Sequence, residues 1–393
     1  MSFNEHMKNY LFLGNGYKPQ KETADSLSPY KLDNVSLPCV EVAIDMGYSV
    51  YMGINRTYAE KLECISAKVK FYNACTYRSL LDIKSNYTAY RNLMCVLKGR
   101  EFDVIHCNTP IGGLIGRVCG KQTKVRKIIY TAHGFHFYKG APLFNRTILK
   151  WAEMIMARWT DAIITMNQED YEAAKKFKLK KGGKIYNIPG IGINTTDYQN
   201  IDIDKEELRF NLSLRNDDIV LISMGDLIKR KNYEISIKAI AEANNTRLQY
   251  LICGRGPKLE ELKKLAQDLN VEKQIHFLGF RSDIKELLQI ADIFLFTTFQ
   301  EGMPRSMMEA MSSGLPCIAS KIRGNVDLIE DGKGGFLMDV SDVQGFANAI
   351  CILAGNKKLR DEFRNSNLNT IKNFDIKNVK KVINDIYKEV LGV

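Results

Sequence analysis

Short apolar segments alternate with longer amphipathic segments along most of the chain. The short segments are rich in Ile, Val, Phe and Tyr and often end at Gly, Pro, Asn or Thr, which predicts β-strands. The predicted strands lie at 10–14, 48–54, 102–108, 126–132, 161–166, 183–189, 219–225, 248–254, 274–280, 292–298 and 315–320. Between them, apolar residues recur every three or four positions, which predicts helices. These include 40–48, 144–159, 233–244, 257–270 and a terminal helix from 376 to 393.

Alternating strands and helices predict an α/β protein with parallel sheets covered by helices on both faces. A chain of 393 residues exceeds one ordinary core, so two domains are expected. The polar stretch 195–218 interrupts the alternation, and we place the boundary near Gly192. The predicted parts are Rossmann-like domains at 1–192 and 193–374, with a helix at 375–393 that packs back on the first domain.

The composition, 45% apolar and 26% charged, is that of a folded protein. No apolar run reaches the roughly 20 residues of a membrane span, and the first residues do not resemble a signal peptide. The nine cysteines form no C-x-x-C pair. These features predict a cytoplasmic protein.

The net charge of +11 is unevenly distributed. Residues 1–195 contain 28 Lys and Arg against 16 Asp and Glu, a balance of +12, and residues 196–393 contain 28 against 29, a balance of −1. This excess indicates an anionic partner for the first half: membrane lipid, a diphosphate-linked acceptor or nucleic acid. The alternative is a surface that serves only solubility.

The stretch TTFQEGMPRSMMEAMSSGLPCIAS begins where a strand is predicted to end. Pro304 suits the first helical position, and Gly314 suits the position after the helix. The first backbone N–H groups of such a helix, with the positive end of its dipole, form an anion site that suits a diphosphate. The predicted donor-binding residues here are Gly302, Met303, Pro304, Arg305 and Ser306.

Two carboxylates accompany this helix. Glu301 precedes its start and Glu309 lies within it. One could bind a sugar and the other a ribose diol. The alternative is an ordinary helix with two solvated glutamates.

The Glu-x7-Glu spacing and the following AMSSGLPCIASKIRGNVDLIEDGKGGFL resemble the donor-binding region of the family 4 retaining glycosyltransferases. TAHGFHFYKGAP at 131–142 is similar to bacterial members that build capsular, exopolysaccharide or lipid-linked oligosaccharide chains. The resemblance runs from about residue 100 to the end. It implies the GT-B fold, in which two Rossmann-like domains face a central cleft. It also implies that Glu301 contacts the donor sugar near the reacting carbon and that Glu309 holds the ribose hydroxyls.

The segment SMGDLIKRKNYE adds a second part of the expected site. A strand ends at Gly225, and Lys231 matches the family's phosphate-binding lysine, placed to offset charge on the departing diphosphate. The family often has an arginine where this chain has Asp226. Arg230 is the candidate replacement.

Four further residues follow from the resemblance on the donor side. The turn at Gly254 shapes the nucleotide pocket, although its Gly-x-Gly pattern alone is weak evidence. Phe280 and Arg281 lie in the loop that reads the base. Gly16 lies in the glycine-bearing loop that closes over the donor phosphates. The segment 17–33 departs from the usual pattern.

His133 follows a predicted strand and begins a glycine-containing loop. A lone histidine is more often structural than functional, but the family places one here, near the donor sugar. We predict Glu301, His133 and Lys231 as the catalytic residues, with His136 and Lys139 as candidates for the acceptor side.

Other functional classes lack their motifs. Gly14-x-Gly16-x-x-Pro19 breaks the dinucleotide fingerprint, and neither a P-loop nor a G-x-S-x-G elbow occurs. Asp202 and Asp204 form a D-x-D pattern, but they lie in the linker, so no metal or other cofactor is expected. The basic stretch 175–184 contains no aromatic residue besides Phe177, so no nucleic-acid partner is expected.

The sequence therefore predicts a retaining hexosyltransferase. It would move a hexose or N-acetylhexosamine from a nucleoside-diphosphate sugar, a UDP-sugar by preference, to a lipid-linked glycan in cell-surface polysaccharide synthesis. The alternatives are a sugar-nucleotide epimerase or hydrolase of the same fold, and a non-catalytic binder of sugar nucleotides or nucleic acid. A further hypothesis is peripheral docking on anionic lipid at the inner membrane face through Trp151 and Trp159. The competing interpretation makes 144–159 a core-facing helix.

Overall fold

A computed structural model describes residues 8–14, 36–54, 69–77 and 81–392. The chain divides into two compact units. Unit 1 comprises Met1–Gly192 with Lys377–Val393, and unit 2 comprises Ile193–Ile376. The boundaries proposed from sequence were residues 192 and 374. Position 16 and the segment 17–33 lie outside the described residues.

Unit 1 contains a seven-stranded sheet in which neighbouring strands run parallel. Its strands are β1 (Asn9–Leu13), β2 (Ser49–Ile54), β3 (Val69–Asn73), β4 (Val104–Asn108), β5 (Lys127–Thr131), β6 (Ala162–Thr165) and β7 (Lys184–Asn187). Its helices include α1 (Leu37–Asp45), α2 (Ile83–Lys98), α3 (Pro110–Gln122), α4 (Lys150–Ala157) and α5 (Gln168–Ala174).

The strand order in this sheet is β3-β2-β1-β4-β5-β6-β7. Strand β4 is buried along its whole length and is continuously apolar apart from His106 and Asn108, as expected when helices cover both faces. The order reverses between β1 and β4, which is where ligands bind in doubly wound sheets. The residues after β4 and β5 are therefore placed at a ligand-binding edge.

Unit 2 contains six strands with parallel neighbours in the order β10-β9-β8-β11-β12-β13. They are β8 (Ile219–Met224), β9 (Leu248–Cys253), β10 (Ile275–Gly279), β11 (Ile293–Phe296), β12 (Cys317–Ser320) and β13 (Gly335–Met338). The helices are α6 (Lys205–Asn211), α7 (Tyr233–Ala243), α8 (Leu259–Asp268), α9 (Ile284–Ile290), α10 (Arg305–Ser312), α11 (Asn325–Leu328), α12 (Val343–Gly355) and α13 (Lys357–Thr370). Here the order reverses between β8 and β11.

The last helix, α14 (Ile376–Leu391), packs within unit 1 through a buried polar cluster. The Nδ1 atom of His106 lies 2.7 Å from the hydroxyls of both Tyr10 and Tyr387, and its Nε2 atom lies 2.7 Å from the hydroxyl of Thr131. Burial, and then the charge of His133, lower the pKa of His106 to about 3. The imidazole is thus neutral at pH 7 and joins α14 to three strands.

The two Rossmann-like sheets confirm the predicted fold class. Each predicted strand is present, with ends that differ by up to two residues. The sequence missed β3 and β13. It also treated 144–159 as one α-helix, whereas the structure has a π-helical turn at Asn145–Leu149 before α4. In the described part of the chain, no helix is long and apolar enough to cross a membrane.

Candidate functional site

The second sheet brings two loops together where its strand order reverses. One follows β8 and begins at Gly225, and the other follows β11 and begins at Thr297. Because β8 and β11 are parallel neighbours, both loops leave the same edge of the sheet. Seven of the predicted site residues lie on these loops: Gly225, Arg230 and Lys231 on the first, and Glu301, Gly302, Met303 and Pro304 on the second.

Glu301 is the centre of a hydrogen-bonded cluster at this edge. Its Oε1 atom accepts hydrogen bonds from Arg230 Nη1 at 2.7 Å, Lys231 Nζ at 2.9 Å and Thr298 Oγ1 at 2.9 Å. The side chains of Glu301 and Lys231 are both 12% exposed, whereas that of Arg230 is 39% exposed. The Lys231–Glu301 pair is therefore largely shielded from water. A charge–charge contact is stronger in such an environment than in bulk solvent.

The backbone holds the two cations in place. Lys229–Lys231 form a 3₁₀ turn that ends at Asn232 in the left-handed conformation, with φ of 53°. The backbone N–H of Phe299 donates to the Arg230 carbonyl at 2.9 Å, and Thr297 Oγ1 donates to the Asn232 carbonyl at 2.8 Å. The loop after β11 is thus fastened to the turn that carries both cations.

Helix α10 begins just after Glu301. Pro304 is its N-cap, with φ −77° and ψ 110°, and supplies no side-chain hydrogen bond to the first turn. The sequence placed Pro304 at the first helical position, so that assignment is wrong by one residue. The first turn of α10, with Arg305 and Ser306, keeps the N–H donors and dipole that favour an anion.

The other predicted turn residues are held against a neighbouring loop. Arg323, which follows β12, donates from Nε to the Glu301 carbonyl at 3.0 Å. A Cβ atom on Gly324 would touch the Gly302 carbonyl, so the two loops pack backbone to backbone. Gly302 and Met303 therefore lie between the carboxylate and the helix start.

Glu309 lies within α10 and is bonded on one carboxylate oxygen by two donors. Tyr198 Oη donates to Oε1 at 3.0 Å and Arg305 Nε donates to the same atom at 2.9 Å. Burial, and then the charge of Glu309, raise the pKa of Tyr198, so its hydroxyl stays protonated at neutral pH. The carboxylate is held in one orientation beside the helix start.

The glycines after β8 and β9 allow a close backbone approach. A Cβ atom on Gly254 would collide with the carbonyl oxygen of Gly225, and Gly225 itself has φ of 148°. Tyr233 Oη donates to that Gly225 carbonyl at 2.9 Å. Asp226, where the family often has arginine, is exposed. Arg230, the candidate replacement for that arginine, contacts Glu301, as Lys231 does.

The loop after β10 contains the two residues predicted to read the base. The Phe280 ring is 71% exposed, and the Arg255 guanidinium lies 5.8 Å from its centroid. Arg281 forms a two-bond ion pair with Asp283, and this hydrogen bonding lowers the pKa of the Asp283 carboxyl. The exposed ring is available for stacking, while the Arg281 guanidinium is engaged by its neighbour.

Unit 1 places His133 just beyond β5. Its Nε2 atom lies 2.8 Å from Oδ1 of Asn108, the last residue of β4, so one ring nitrogen is oriented by a buried amide. His136 and Lys139 are exposed on the same loop. Neither Asp202 nor Asp204 forms a metal cluster. Asp204 caps α6 through the Glu207 N–H, and the described residues contain no group of three metal-ligating side chains.

Three residues escaped the sequence prediction: Thr298, Asn108 and Tyr198. The first two stand at the carboxyl ends of β11 and β4, a position that could have drawn attention to them. Tyr198 lies 111 residues from Glu309, and nothing in the local sequence marks their contact.

Comparison with known proteins fits this geometry. The model described as "Glycosyltransferase Family 4" matches residues 48–192, and that described as "Glycosyl transferases group 1" matches residues 204–369. The chain is 34% identical over 326 residues to EpsD of Bacillus subtilis, which is named as a glycosyltransferase, covering 82% of this chain and 84% of that protein.

A second relative is the UDP-Gal:alpha-D-GlcNAc-diphosphoundecaprenol alpha-1,3-galactosyltransferase of Escherichia coli. It is 31% identical over 326 residues, covering 81% of this chain and 82% of that protein. Among solved structures, Anabaena HepE in complex with UDP and glucose superposes with a TM-score of 0.74 at 20% identity, covering 98% of this chain and 100% of that one.

Two Rossmann-like units with a carboxylate and cations at the start of α10 define the GT-B class of sugar-transferring enzymes. The chain belongs to the group 1 and family 4 glycosyltransferases. It is therefore a glycosyltransferase. The alternatives of an epimerase, a hydrolase or a non-catalytic binder find no support among these relatives.

Proposed function

We propose that this enzyme moves a hexose or N-acetylhexosamine from a UDP-sugar to a hydroxyl of a lipid-linked glycan, with retention of anomeric configuration. The reaction would serve cell-surface polysaccharide synthesis at the inner face of the membrane. The observation that carries the proposal is the convergence of Lys231, Arg230 and Thr298 on Glu301 directly before α10.

The relatives support the substrate classes. The Escherichia coli relative is named for a UDP-linked galactose donor and an acceptor on diphosphoundecaprenol. HepE was crystallised with UDP and glucose. A diphosphate-linked lipid acceptor also suits the excess positive charge of the N-terminal half.

Glu301 accepts hydrogen bonds from both Arg230 and Lys231. An arriving diphosphate offers Lys231 and Arg230 more than one negative charge and several acceptor oxygens, and the first turn of α10 supplies further donors. Releasing Glu301 from the cations would free its carboxylate for the donor sugar. Glu309, held by Tyr198 and Arg305, would bind the ribose hydroxyls.

In the chemical step, the bond between the anomeric carbon and the β-phosphate oxygen breaks, and the acceptor oxygen bonds to that carbon on the same face. The acceptor proton passes to the departing phosphate or to a base in the site, and UDP leaves. Lys231 offsets the charge that grows on the leaving oxygen. His133, oriented by Asn108, would hydrogen-bond the sugar. Gly16, predicted to close over the phosphates, lies outside the described residues.

We also propose that no metal is needed, because Lys231, Arg230 and the helix start supply the positive charge that a divalent cation provides in other transferases. Activity should therefore persist in excess EDTA. Loss of activity in EDTA that returns with Mg²⁺ or Mn²⁺ would contradict this.

The test is incubation with a panel of UDP-sugars and a polyprenyl-diphosphate-linked glycan, following UDP release and the anomeric NMR signal of the product. We expect rapid UDP release only with acceptor, and a product of the same anomeric configuration as the donor. Glu301→Gln should lower turnover by about 10²- to 10³-fold, and Lys357→Gln, at an exposed site on α13, should leave it unchanged. Acceptor-independent consumption of the donor would favour a hydrolase or an epimerase instead.

A further inference from the structure

Unit 1 carries an apolar surface that its own core does not explain. Between the loop before the π-helical turn and the end of α4, five large apolar side chains are 40% to 74% exposed. We call these residues the apolar ridge: Leu143, Phe144, Ile148, Trp151 and Met154. Single exposed apolar residues are common on protein surfaces, but five within 12 residues form a patch of the kind that binds a partner.

The opposite side of the same segment accounts for its attachment to unit 1. Leu149, Ala152 and Met156 line an apolar cavity of about 70 Å³ together with Leu114 of α3. These residues pack the segment against the rest of unit 1. The apolar ridge is therefore not needed for that packing. Trp159, which the sequence grouped with Trp151, is half-buried, and Lys121 Nζ lies 3.8 Å from its ring centroid.

A buried ion pair fixes the segment against α3. Arg117, which is fully buried, donates one hydrogen bond to Glu153 at 3.0 Å and makes a second ion-pair contact with it at 2.8 Å. Its guanidinium lies 3.9 Å from the Tyr130 ring centroid. Glu153 is the only acidic residue between positions 139 and 158. The charge of Glu153 is neutralised by Arg117 and does not contribute to the outer surface.

All other ionisable residues from 139 to 158 are basic. Lys139, Arg146 and Arg158 are exposed, and Lys150 is half-buried. The ridge is thus an apolar strip among positive charges, the composition of segments that lie in the interface of an anionic bilayer.

The second basic stretch of unit 1, at 175–184, differs in two respects. Three of its lysines form ion pairs with neighbouring carboxylates, namely Lys175 with Glu172, Lys180 with Asp161 and Lys184 with Glu389. Its aromatic residue Phe177 is buried. The ridge therefore combines exposed apolar area with unneutralised charge, and the 175–184 stretch does not.

We propose that the apolar ridge and its basic neighbours form the surface by which this protein docks on an anionic lipid bilayer. The inference rests on the proposed function, because a lipid-linked acceptor must be met at a membrane. The bilayer is the favoured occupant over a second copy of the chain, because two such basic surfaces would repel each other across a symmetric interface.

The experiment is co-sedimentation of the full chain with vesicles of phosphatidylcholine alone or mixed with phosphatidylglycerol. We expect binding to the anionic vesicles, weakened by 0.5 M NaCl, and little binding to the neutral ones. Phe144→Ser together with Trp151→Ser should lower the partition coefficient at least about tenfold. Arg146→Gln with Lys150→Gln should lower binding to anionic vesicles only.

Matched controls are Phe210→Ser, at an 81% exposed phenylalanine on α6, and Lys357→Gln on α13. Both should bind like the wild type. Equal binding of the wild type and the ridge variants, or equal binding to neutral and anionic vesicles, would overturn the proposal. A dimer in light scattering that the ridge substitutions dissociate would assign the surface to a second copy instead.

A short-chain, water-soluble acceptor analogue separates this proposal from the proposed function. Ridge variants should retain wild-type turnover on that analogue and lose it on vesicle-embedded acceptor. If the wild type acts on the analogue but ignores vesicles, the docking surface is refuted and the reaction stands. If no acceptor supports UDP release, the reaction itself is refuted, whatever the vesicle result.

Discussion

Replacing Glu301 with glutamine separates two effects that are combined in the wild-type site. Glutamine has almost the same shape, so packing around this 12% exposed side chain should be preserved. The substitution removes the charge that Lys231 and Arg230 share, while the amide oxygen can still accept hydrogen bonds. We therefore expect the folded structure to persist and the electrostatics to change.

The size of the effect follows from the two charge-assisted bonds, at 2.7 Å and 2.9 Å. A hydrogen bond to a charged group contributes roughly 1.5–3 kcal/mol and a neutral one roughly 0.5–1.5 kcal/mol, so each bond loses about 1 kcal/mol. Because Arg230 is 39% exposed, solvent screens most of the free energy that its bond to Glu301 contributes. A net gain of about 1 kcal/mol for a competing diphosphate corresponds to about fivefold tighter binding of UDP.

Catalysis should move in the opposite direction. Loss of the carboxylate near the reacting carbon should lower kcat by about 10²- to 10³-fold, the usual range for one electrostatic stabiliser. Calorimetric titration with UDP and steady-state kinetics with the donor measure the two quantities. Glu309→Gln is the matched control and should weaken UDP binding, because Glu309 is assigned to the ribose. Weaker UDP binding by the Glu301→Gln variant, or an unchanged kcat, would contradict the roles assigned to Glu301.

Three other substitutions test the surroundings of the site. Tyr198→Phe removes one donor to Glu309 and should raise KM for the donor about three- to tenfold with kcat within twofold; an equal fall in kcat would contradict a positioning role. Gly254→Ala places a Cβ against the Gly225 carbonyl and should lower the melting temperature by several degrees, whereas an unchanged melting curve would contradict the close approach. Because the folded-state pKa of His106, about 3, lies below its unfolded value, protonation favours unfolding, so stability should fall as pH drops from about 6.5 towards 3. His106→Gln should make denaturant-derived stability less pH-dependent across that window, and an unaltered slope would exclude His106 as the source.

The parallel sheets were predictable because buried strands in α/β folds are short and continuously apolar. Strand β13 was missed because its sequence, GFLM, begins with the second glycine of a pair and contains only three apolar side chains. Strand β3, VKFYN, alternates polar and apolar residues and has few aliphatic side chains. The start of α10 was predicted to within one residue, because a proline precedes the helix and a glycine follows its C-terminal end.

The candidate site was predictable only for functional side chains that directly follow predicted strands. Glu301 and Lys231 follow strands, so the topology brings them to one edge of the sheet. Their direct bond was not predicted, because the resemblance assigned the lysine to the donor phosphate and gave it no carboxylate partner. Tyr198 was beyond reach, since its partner is set by the packing of a 3₁₀ turn against α10 and α9.

A crystal structure of the protein with UDP would show whether the start of α10 binds the donor diphosphate. We expect diphosphate oxygens within hydrogen-bond distance of Lys231 Nζ and of the first N–H groups of α10. We also expect the ribose hydroxyls on Glu309, and Glu301 released from at least one cation. UDP bound away from the start of α10, or bound there with the Lys231–Glu301 pair unchanged and no contact to the phosphates, would contradict this expectation.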